Sequence, residues 1–237
     1  MRIKTTFFIS LFGFVLAEAL SAQESFKISA TEQQSVTIQN IIINNKNVFD
    51  LSIAEENNPL YALLNRIHVN TKKDVIRNQL LFQVGDIYSK RIADETERLL
   101  RANRYLTNAD IIVIPKNNDN IALKVDTQDA WTLNPGFSFG RGGGNNKTSI
   151  SLREYNFLGS GIRIGLRYKS DIDRDSTTFQ LSDNNLMGSR HNLILDYANN
   201  SDGHKYLLNL KKPFYSMDTT DSYGFSIANQ SGVESLY

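Results

Sequence analysis

The chain has 237 residues, and its 26 basic and 25 acidic side chains give a net charge of +1, so no charge excess favours nucleic acid or another polyanion. It contains no cysteine, which excludes disulfides, thiol catalysis, cysteine-ligated metals and lipid attachment to an N-terminal cysteine. The length allows one large domain or two small ones.

The first 22 residues have the pattern of a secretory signal peptide. Arg2 and Lys4 form a basic start, and the apolar run over 7–17 that follows is too short to span a bilayer as a helix. Small residues then precede a polar stretch, which predicts cleavage after Ala22. A buried first helix or a membrane anchor is the alternative. We expect an exported protein in which residues 1–22 are removed and residues 23–35 form a linker.

Residues 36–129 have a mixed α and β pattern. Alternating apolar residues over 36–43 predict a first strand, and Pro59 suits the first turn of a helix that continues to His68. Alternatively, 63–69 is the first strand and the earlier residues are a remnant of a preceding module. Asn70 or Thr71 is predicted to cap a second helix that includes Leu80 and Leu81 and ends before Gly85.

A third helix and two strands complete this region. Ser89 is predicted to cap the helix, with Leu100 facing inward and Glu95 facing outward beside three arginines. The runs 110–115 and 121–125 read as strands. The expected result is a small α+β module with a sheet that is covered on one face.

From residue 130 to 237 the pattern is that of β-strands alone, about seven of them. One predicted hairpin occurs twice in the sequence, with an offset of 29 residues. The first copy spans 150–168 and contains the turn Asn156–Ser160, and the second copy spans 179–197 and contains the turn Asn185–Ser189. Such a unit cannot bury its own apolar face and needs neighbours like itself. Trp131 is expected to mark the junction at a membrane interface, and a core tryptophan is the alternative.

The period-two alternation fits either a lipid-facing β-barrel or a soluble β-sandwich or propeller. Aromatic residues near the strand ends resemble an interfacial girdle, and short turns at 156–161 and 185–190 contrast with polar loops at 171–176 and 199–203. Charged side chains on the polar face suit a wet lumen or a solvated surface: Arg163, Arg167, Lys169, Lys205 and Lys211. These features favour an antiparallel transmembrane barrel.

Seven strands are too few to close a bacterial barrel, which needs an even number from eight upward. We therefore expect the chain to be the N-terminal part of a longer protein, with about nine further strands, or a truncated reading frame. The incomplete barrel would have two long unpaired edges.

The order of these regions resembles the outer-membrane assembly-factor superfamily, the BamA/TamA-like proteins. The α+β region resembles a POTRA (polypeptide-transport-associated) module in 74–77, 85–89 and 121–125, and Asn156–Gly161 resembles the first periplasmic turn of those barrels. The resemblance implies that residues 36–129 form a POTRA-like periplasmic module and that residues 130–237 form the N-terminal part of an outer-membrane β-barrel.

The resemblance also implies how such a protein would act. An exposed strand edge offers unpaired backbone groups to an extended client peptide. In the module the candidate edges are 36–43 and Ile111, Ile112, Val113 and Ile114. In the first barrel strand, 134–141, they are Phe137, Ser138 and Phe139. The predicted periplasmic turns contain Asn156, Gly159, Ser160, Asn185, Gly188 and Ser189.

The predicted function is insertion or secretion of other polypeptides at the outer membrane. The expected partners are outer-membrane lipid and unfolded outer-membrane or secreted polypeptides. Periplasmic assembly proteins are further candidates, and no binding to nucleic acid is expected. No enzyme activity, cofactor or metal site is expected, because no catalytic constellation or metal-ligand spacing stands out. The alternatives are a two-partner secretion transporter, a passive outer-membrane channel and a non-functional truncated remnant.

Overall fold

The computed structural model describes residues 6–10, 36–117, 120–142 and 145–233. The predicted linker, most of the predicted signal peptide and the last four residues lie outside these ranges. In chain order the first elements are β1 (Thr6–Ser10), β2 (Thr37–Lys46), α1 (Pro59–Ile67), α2 (Lys73–Arg77), α3 (Lys90–Arg101), β3 (Leu106–Asn117) and β4 (Asn120–Asp129). The remaining strands are β5 (Leu133–Gly142), β6 (Asn145–Glu154), β7 (Arg163–Ser170), β8 (Asp175–Asp183), β9 (Asn192–Asn200), β10 (Gly203–Lys212) and β11 (Tyr223–Ser231).

Residues 36–129, called the module below, contain a three-stranded sheet in the order β2-β4-β3. Strand β4 is central, parallel to β2 and antiparallel to β3. A bulge between Ile38 and Asn40 shifts the register of β2. Since a bulge reverses the side-chain parity, Ile38 and Ile41 both reach the core although they are three residues apart.

Two of the three predicted helices, α1 and α3, are confirmed. Asn58 caps α1, with Pro59 in its first turn, and Ser89 caps α3. The alternative strand at 63–69 is wrong, because residues 63–67 belong to α1. The second helix is shorter than predicted: it ends at Arg77, and its N-cap is Lys72, which makes no side-chain capping bond. Thr71 instead uses its polar groups in the junction described below.

Strands β5 to β11 form the seven predicted antiparallel strands, each paired with its chain neighbour. Counted over the described strands, the large sheet is open, since its order runs from β5 to β11 and then to β1. Strand β1 lies inside the predicted signal peptide and pairs with β11 from Thr6–Gln230 to Ser10–Ser226. Any extended segment can add to an unpaired edge, so loss of residues 1–22 would leave β11 open. The signal peptide stays a prediction.

The predicted contrast in turn length is wrong. The turns at the module end of the large sheet span 155–162, 184–191 and 213–222, and the turns at the far end span only 171–174 and 201–202. Asp171 explains the tightness of the first far turn. Its Oδ1 accepts hydrogen bonds from the backbone N–H groups of Asp173 (3.1 Å) and Arg174 (3.2 Å).

The described hydrophobic core lies entirely in the module, between Ile38 and Val125. Among the residues that the structure describes, nothing covers one apolar face of the large sheet. Cross-strand rows such as Leu152–Leu166–Phe179–Tyr197 cross it, and its large side chains are exposed: Phe137, Phe139, Ile150, Leu152, Leu166, Tyr168, Phe179, Leu195, Tyr197, Tyr206, Phe225 and Ile227. Among the helices that the structure describes, none is long and apolar enough to cross a membrane.

Candidate functional site at the junction of the module and the large sheet

Three turns of the large sheet meet the module. We call them the first turn (155–162), the second turn (184–191) and the third turn (213–222), after their order in the chain. All three lie at the end of the sheet where the chain enters from the module, because each joins a strand that runs toward the module to one that leaves it. The contacts that they make define the junction.

The first and second turns have the same backbone conformation, as their repeated sequence predicts. Leu158 (φ 53°) and Met187 (φ 52°) both adopt left-handed backbone, and each precedes a glycine with positive φ. In each turn an asparagine Oδ1 accepts from the backbone N–H five residues on, at 2.8 Å for both Asn156–Gly161 and Asn185–Arg190. Ser160 and Ser189 close the turns by donating to the carbonyls of Phe157 (2.5 Å) and Leu186 (2.6 Å).

The first turn contacts the N-terminal end of α2. The backbone N–H of Lys72 donates to the carbonyl of Gly159 at 2.9 Å. Asn156 Nδ2 donates to Thr71 Oγ1 at 2.8 Å, and both of these side chains are buried. Gly159 lies so close to Asn70 that an added Cβ would be 2.3 Å from its carbonyl oxygen. The first turn thus supplies an acceptor for the N–H of the N-cap residue of α2, a group that has no partner within the helix.

The second turn contacts the C-terminal end of α2. Arg190 Nη2 donates to the carbonyl of Leu80 at 2.8 Å, and Asn185 Nδ2 donates to the carbonyl of Asn78 at 3.3 Å. The two turns are separated by two strand spacings, about 10 Å. The rise from Lys72 to Asn78 is about 9 Å in a helix. The repeat therefore places the first turn at one end of α2 and the second turn at the other end.

The third turn contacts α3. Asp218 forms a two-pronged ion pair with Arg91, at 3.1 Å and 3.0 Å, and Tyr215 lies under the guanidinium of Arg190, 4.5 Å from its ring centroid. The prediction that Glu95 faces solvent is wrong: its side chain is buried, because the third turn covers this part of α3. The hydrogen bonds from Arg98 hold the pKa of Glu95 below its ordinary value, with a smaller contribution from the backbone N–H of Met217.

A buried polar cluster links the first turn to the core of the module. Asp129 is fully buried. Its Oδ2 accepts from Thr71 N (2.7 Å) and lies 2.8 Å from His68 Nε2, and its Oδ1 accepts from Asn45 Nδ2 (2.9 Å). Sequence reasoning missed this cluster. The sequence did contain a signal for it. Asp129 lies on the same inward-facing positions of β4 as Leu123, Val125 and Thr127, all of which are buried.

A cavity of about 360 Å³ lies between α2, the first turn and the second turn. Tyr105 forms part of its wall, and burial raises the pKa of this hydroxyl above its ordinary range. Gln79 donates to the Tyr105 hydroxyl, and Asn103 Nδ2 donates to Gln79 Oε1 at 2.6 Å. The part of the wall around Tyr105 is therefore hydrogen-bonded within the module.

The predicted client edges lie on edge strands. Strand β3 has β4 as its only strand partner in the described part of the chain, and β5 likewise has only β6. The start of β2 is less accessible, because residues 85–88 form hydrogen bonds along it, including Gly85 N to Ile38 O at 2.9 Å. This leaves Ile111–Ile114 and Phe137–Phe139 as the more open candidates.

Helix α3 partly covers the free edge of β3. Glu97 Oε1 accepts from the backbone N–H of Ile111 at 2.7 Å, and Arg101 donates to the carbonyl of Ala109 at 2.5 Å. Backbone groups of alternate residues point to the same edge of a strand. The first outward N–H beyond this cover is therefore that of Val113. Pro115 follows at the next outward position, where its missing N–H breaks no pairing.

The same reasoning orients β5. Pro135 pairs in register with Leu152, and a proline in a sheet is confined to positions whose missing N–H would face away from the partner strand. The backbone groups of Phe137 and Phe139 share this outward parity. Their side chains are exposed on the apolar face of the large sheet.

The two copies of the turn give a matched pair of variants. Replacing Asn156 by alanine is expected to reduce the free energy of unfolding by about 2–3 kcal/mol, because it leaves buried partners without hydrogen bonds. The equivalent change at Asn185, which is only partly buried, is expected to remove about 1 kcal/mol or less. Denaturant unfolding in detergent, followed by the fluorescence of the single tryptophan, Trp131, measures both. Equal losses would contradict the assignment of the buried bond to the first turn.

Known proteins resemble the chain in fold. No protein-family model and no curated protein sequence matches it. Among solved structures, a BamA from Haemophilus ducreyi that lacks POTRA domains 1–3 superposes with a TM-score of 0.53 and 13% identity, over 96% of this chain and 40% of that one. CdiB from Acinetobacter baumannii gives a TM-score of 0.51 and 12% identity, over 84% of this chain and 38% of that one.

These likenesses define the class of fold. The chain is a mostly antiparallel β protein with few helices that resembles the BamA barrel, and the resemblance predicted from its residues is confirmed at the level of the fold. The chain spans about two fifths of the length of each of these two proteins.

Proposed function

We propose that this chain is part of an outer-membrane factor that inserts or secretes other polypeptides, with its module in the periplasm and its large sheet in the membrane. The observation that carries the proposal is the uncovered apolar face. A sheet in water must cover such a face, and within the described residues no second layer packs on it. Outer-membrane lipid would cover it instead.

The opposite face of the large sheet supports the same proposal. Arg153, Arg167 and Lys205 lie on the parity opposite to the apolar rows. Small residues such as Ser151 and Gly165 lie between them. Charged groups cannot face hydrocarbon without a large penalty. This face would line a hydrated lumen.

The module, as a POTRA-like domain, would bind an extended client by strand addition at β3, and β5 would offer the equivalent edge at the membrane. The free backbone groups supply affinity in this mode, and the side chains on each face supply selectivity. The cover that Glu97 and Arg101 place on β3 would confine a client to the stretch from Val113 onward.

Within this proposal, insertion of polypeptides into the membrane is the first candidate activity, and secretion of an exported polypeptide, as in a two-partner secretion transporter, is the second. The charged face of the large sheet favours it, since such a face would line a hydrated passage. The two candidates differ in the fate of the client, which ends as a membrane-embedded barrel after insertion and as a soluble product outside the cell after secretion.

Strand addition at β3 is tested by removing one outward N–H. Val113→Pro is expected to weaken binding of a fluorescently labelled, urea-unfolded outer-membrane protein by about ten-fold. The variant loses one hydrogen bond of about 1 kcal/mol to the client, and the proline ring also hinders close approach of the client strand. Val113→Thr keeps the N–H and is expected to bind as the parent does. Fluorescence anisotropy measures both affinities. Unchanged binding by a folded Val113→Pro variant would exclude this edge.

A further inference from the structure

Helix α1 is attached to the module by one side only. The Tyr61 ring stacks on Phe49, with ring centroids 4.2 Å apart. Asn65 forms a pair of hydrogen bonds with the same residue: its Oδ1 accepts from Phe49 N at 3.0 Å, and its Nδ2 donates to Phe49 O at 2.8 Å. These contacts fix which side of the helix faces outward.

The outward side of α1 is apolar and has no protein partner in the described part of the chain. Leu60, Leu63 and Ile67 are 60%, 54% and 59% exposed, and no residue of this helix is buried. Their spacing places them on one stripe, opposite Tyr61 and Asn65. Val69, just after the helix, is also exposed. A protein that functions in water seldom exposes such a continuous stripe.

The stripe continues into the apolar face of the large sheet. A cavity of about 310 Å³ joins the two, with Ile67 and Val69 on the helix side and Trp131, Leu133 and Leu158 on the sheet side. Leu133 has the same parity on β5 as Phe137, which is part of the apolar face. Helix α1 therefore lies at the module end of the surface that lipid is proposed to cover.

Basic residues lie at the C-terminal end of α1 and just beyond it. The stretch 66–73 contains Arg66, Lys72 and Lys73 and no acidic residue, whereas Glu55 and Glu56 precede the N-terminal end of the helix. The three basic side chains are exposed. Basic groups beside an apolar stripe can reach phosphate headgroups while the stripe enters the boundary of the acyl chains.

We propose that α1 is an amphipathic helix that lies in the periplasmic leaflet of the outer membrane, with Leu60, Leu63 and Ile67 in the headgroup–acyl boundary. The occupant of the stripe is phospholipid. This inference rests on the proposed lipid contact of the large sheet and extends the membrane-binding surface to the module. Together with the three turns, α1 would hold the module at a fixed orientation beneath the sheet.

The absence of cysteine makes the proposal testable with single labels. Leu63→Cys, Ala62→Cys and Leu166→Cys each receive a nitroxide in the full chain, reconstituted in vesicles of phosphatidylethanolamine and phosphatidylglycerol. Ala62 is exposed on the side of α1 away from the stripe, and Leu166 lies on the apolar face of the large sheet. Collision rates with oxygen, which concentrates in lipid, and with a water-soluble nickel chelate give the depth of each label.

We expect the Leu166 label in the hydrocarbon, the Leu63 label about 5–10 Å inside the headgroup boundary and the Ala62 label in water. A Leu63 label as accessible to nickel as the Ala62 label, with the Leu166 label still in the hydrocarbon, would overturn the placement of α1 and leave the proposed function intact. If the Leu166 label is also in water, both the placement of α1 and the proposed lipid contact of the sheet are wrong.

Discussion

Gly159→Ala is expected to reduce the free energy of unfolding by about 3–4 kcal/mol. This loss is larger than the one expected for the same substitution in the second turn. Gly159 has a φ of 70°, a conformation that costs a residue with a side chain about 1–2 kcal/mol. The new Cβ would also lie 2.3 Å from the carbonyl oxygen of Asn70. Because that atom belongs to the backbone, relief requires the first turn to move away and lose its bond to Lys72.

Gly188→Ala is the matched control, because the repeat gives it the same backbone conformation, with a φ of 76°. The nearest atoms to its Cβ would belong to the side chain of Asn78, at 3.2 Å, and a side chain can move. We expect a loss of about 1–2 kcal/mol, which is the conformational part alone. Urea unfolding in detergent measures the difference between the two variants. Equal losses would mean that contact with Asn70 contributes nothing.

Asp129→Ala is expected to cost about 3–5 kcal/mol, since removal of one partner from a buried polar cluster leaves the others unsatisfied. Three groups would lose their acceptor: Thr71 N, Asn45 Nδ2 and His68 Nε2. Thr71 also receives the hydrogen bond of Asn156. We therefore expect the first turn to detach as well, which a greater susceptibility of the 68–72 segment to limited proteolysis would report.

Asp126→Ala is the control on the same strand. Asp126 accepts from Asn44 (2.8 Å) and Lys124 (2.7 Å), but its side chain is partly exposed, so in the variant water can accept the hydrogen bonds of both donors. A loss of about 1 kcal/mol or less is expected. Thermal unfolding of the two variants makes the comparison. A similar loss for both would show that the Asp129 cluster does not stabilise the module.

The sequence predicted the turns well because their structure is local. Asparagine, glycine and serine at fixed spacing close the turn by themselves, so two copies of the motif fold alike whatever they touch. What each copy touches depends on residues about 80 to 110 positions away in the chain. The pattern of the turn contains no information about that partner, and the different burial of Asn156 and Asn185 could not be predicted.

The errors in the module have the same origin. The apolar spacing at 75–81 predicts a longer helix, but α2 ends at Arg77, and the carbonyl of Leu80 is satisfied by Arg190 of the second turn. Glu95 has the helical position of a solvent-facing residue, and the third turn covers it. In both cases a tertiary contact replaces the solvent or the helical bond that local reasoning assumes.

The measurement that tests the central claim most directly is the lipid contact of adjacent residues on β8. In a Trp131→Phe background, Phe179→Trp places the only indole on the apolar face, and Gln180→Trp places it on the opposite face. Vesicles that contain phospholipid brominated on the acyl chains quench tryptophan on contact. The proposed arrangement predicts strong quenching at position 179 and little at position 180. Equal quenching at both positions, or none at position 179, would contradict a lipid-facing sheet.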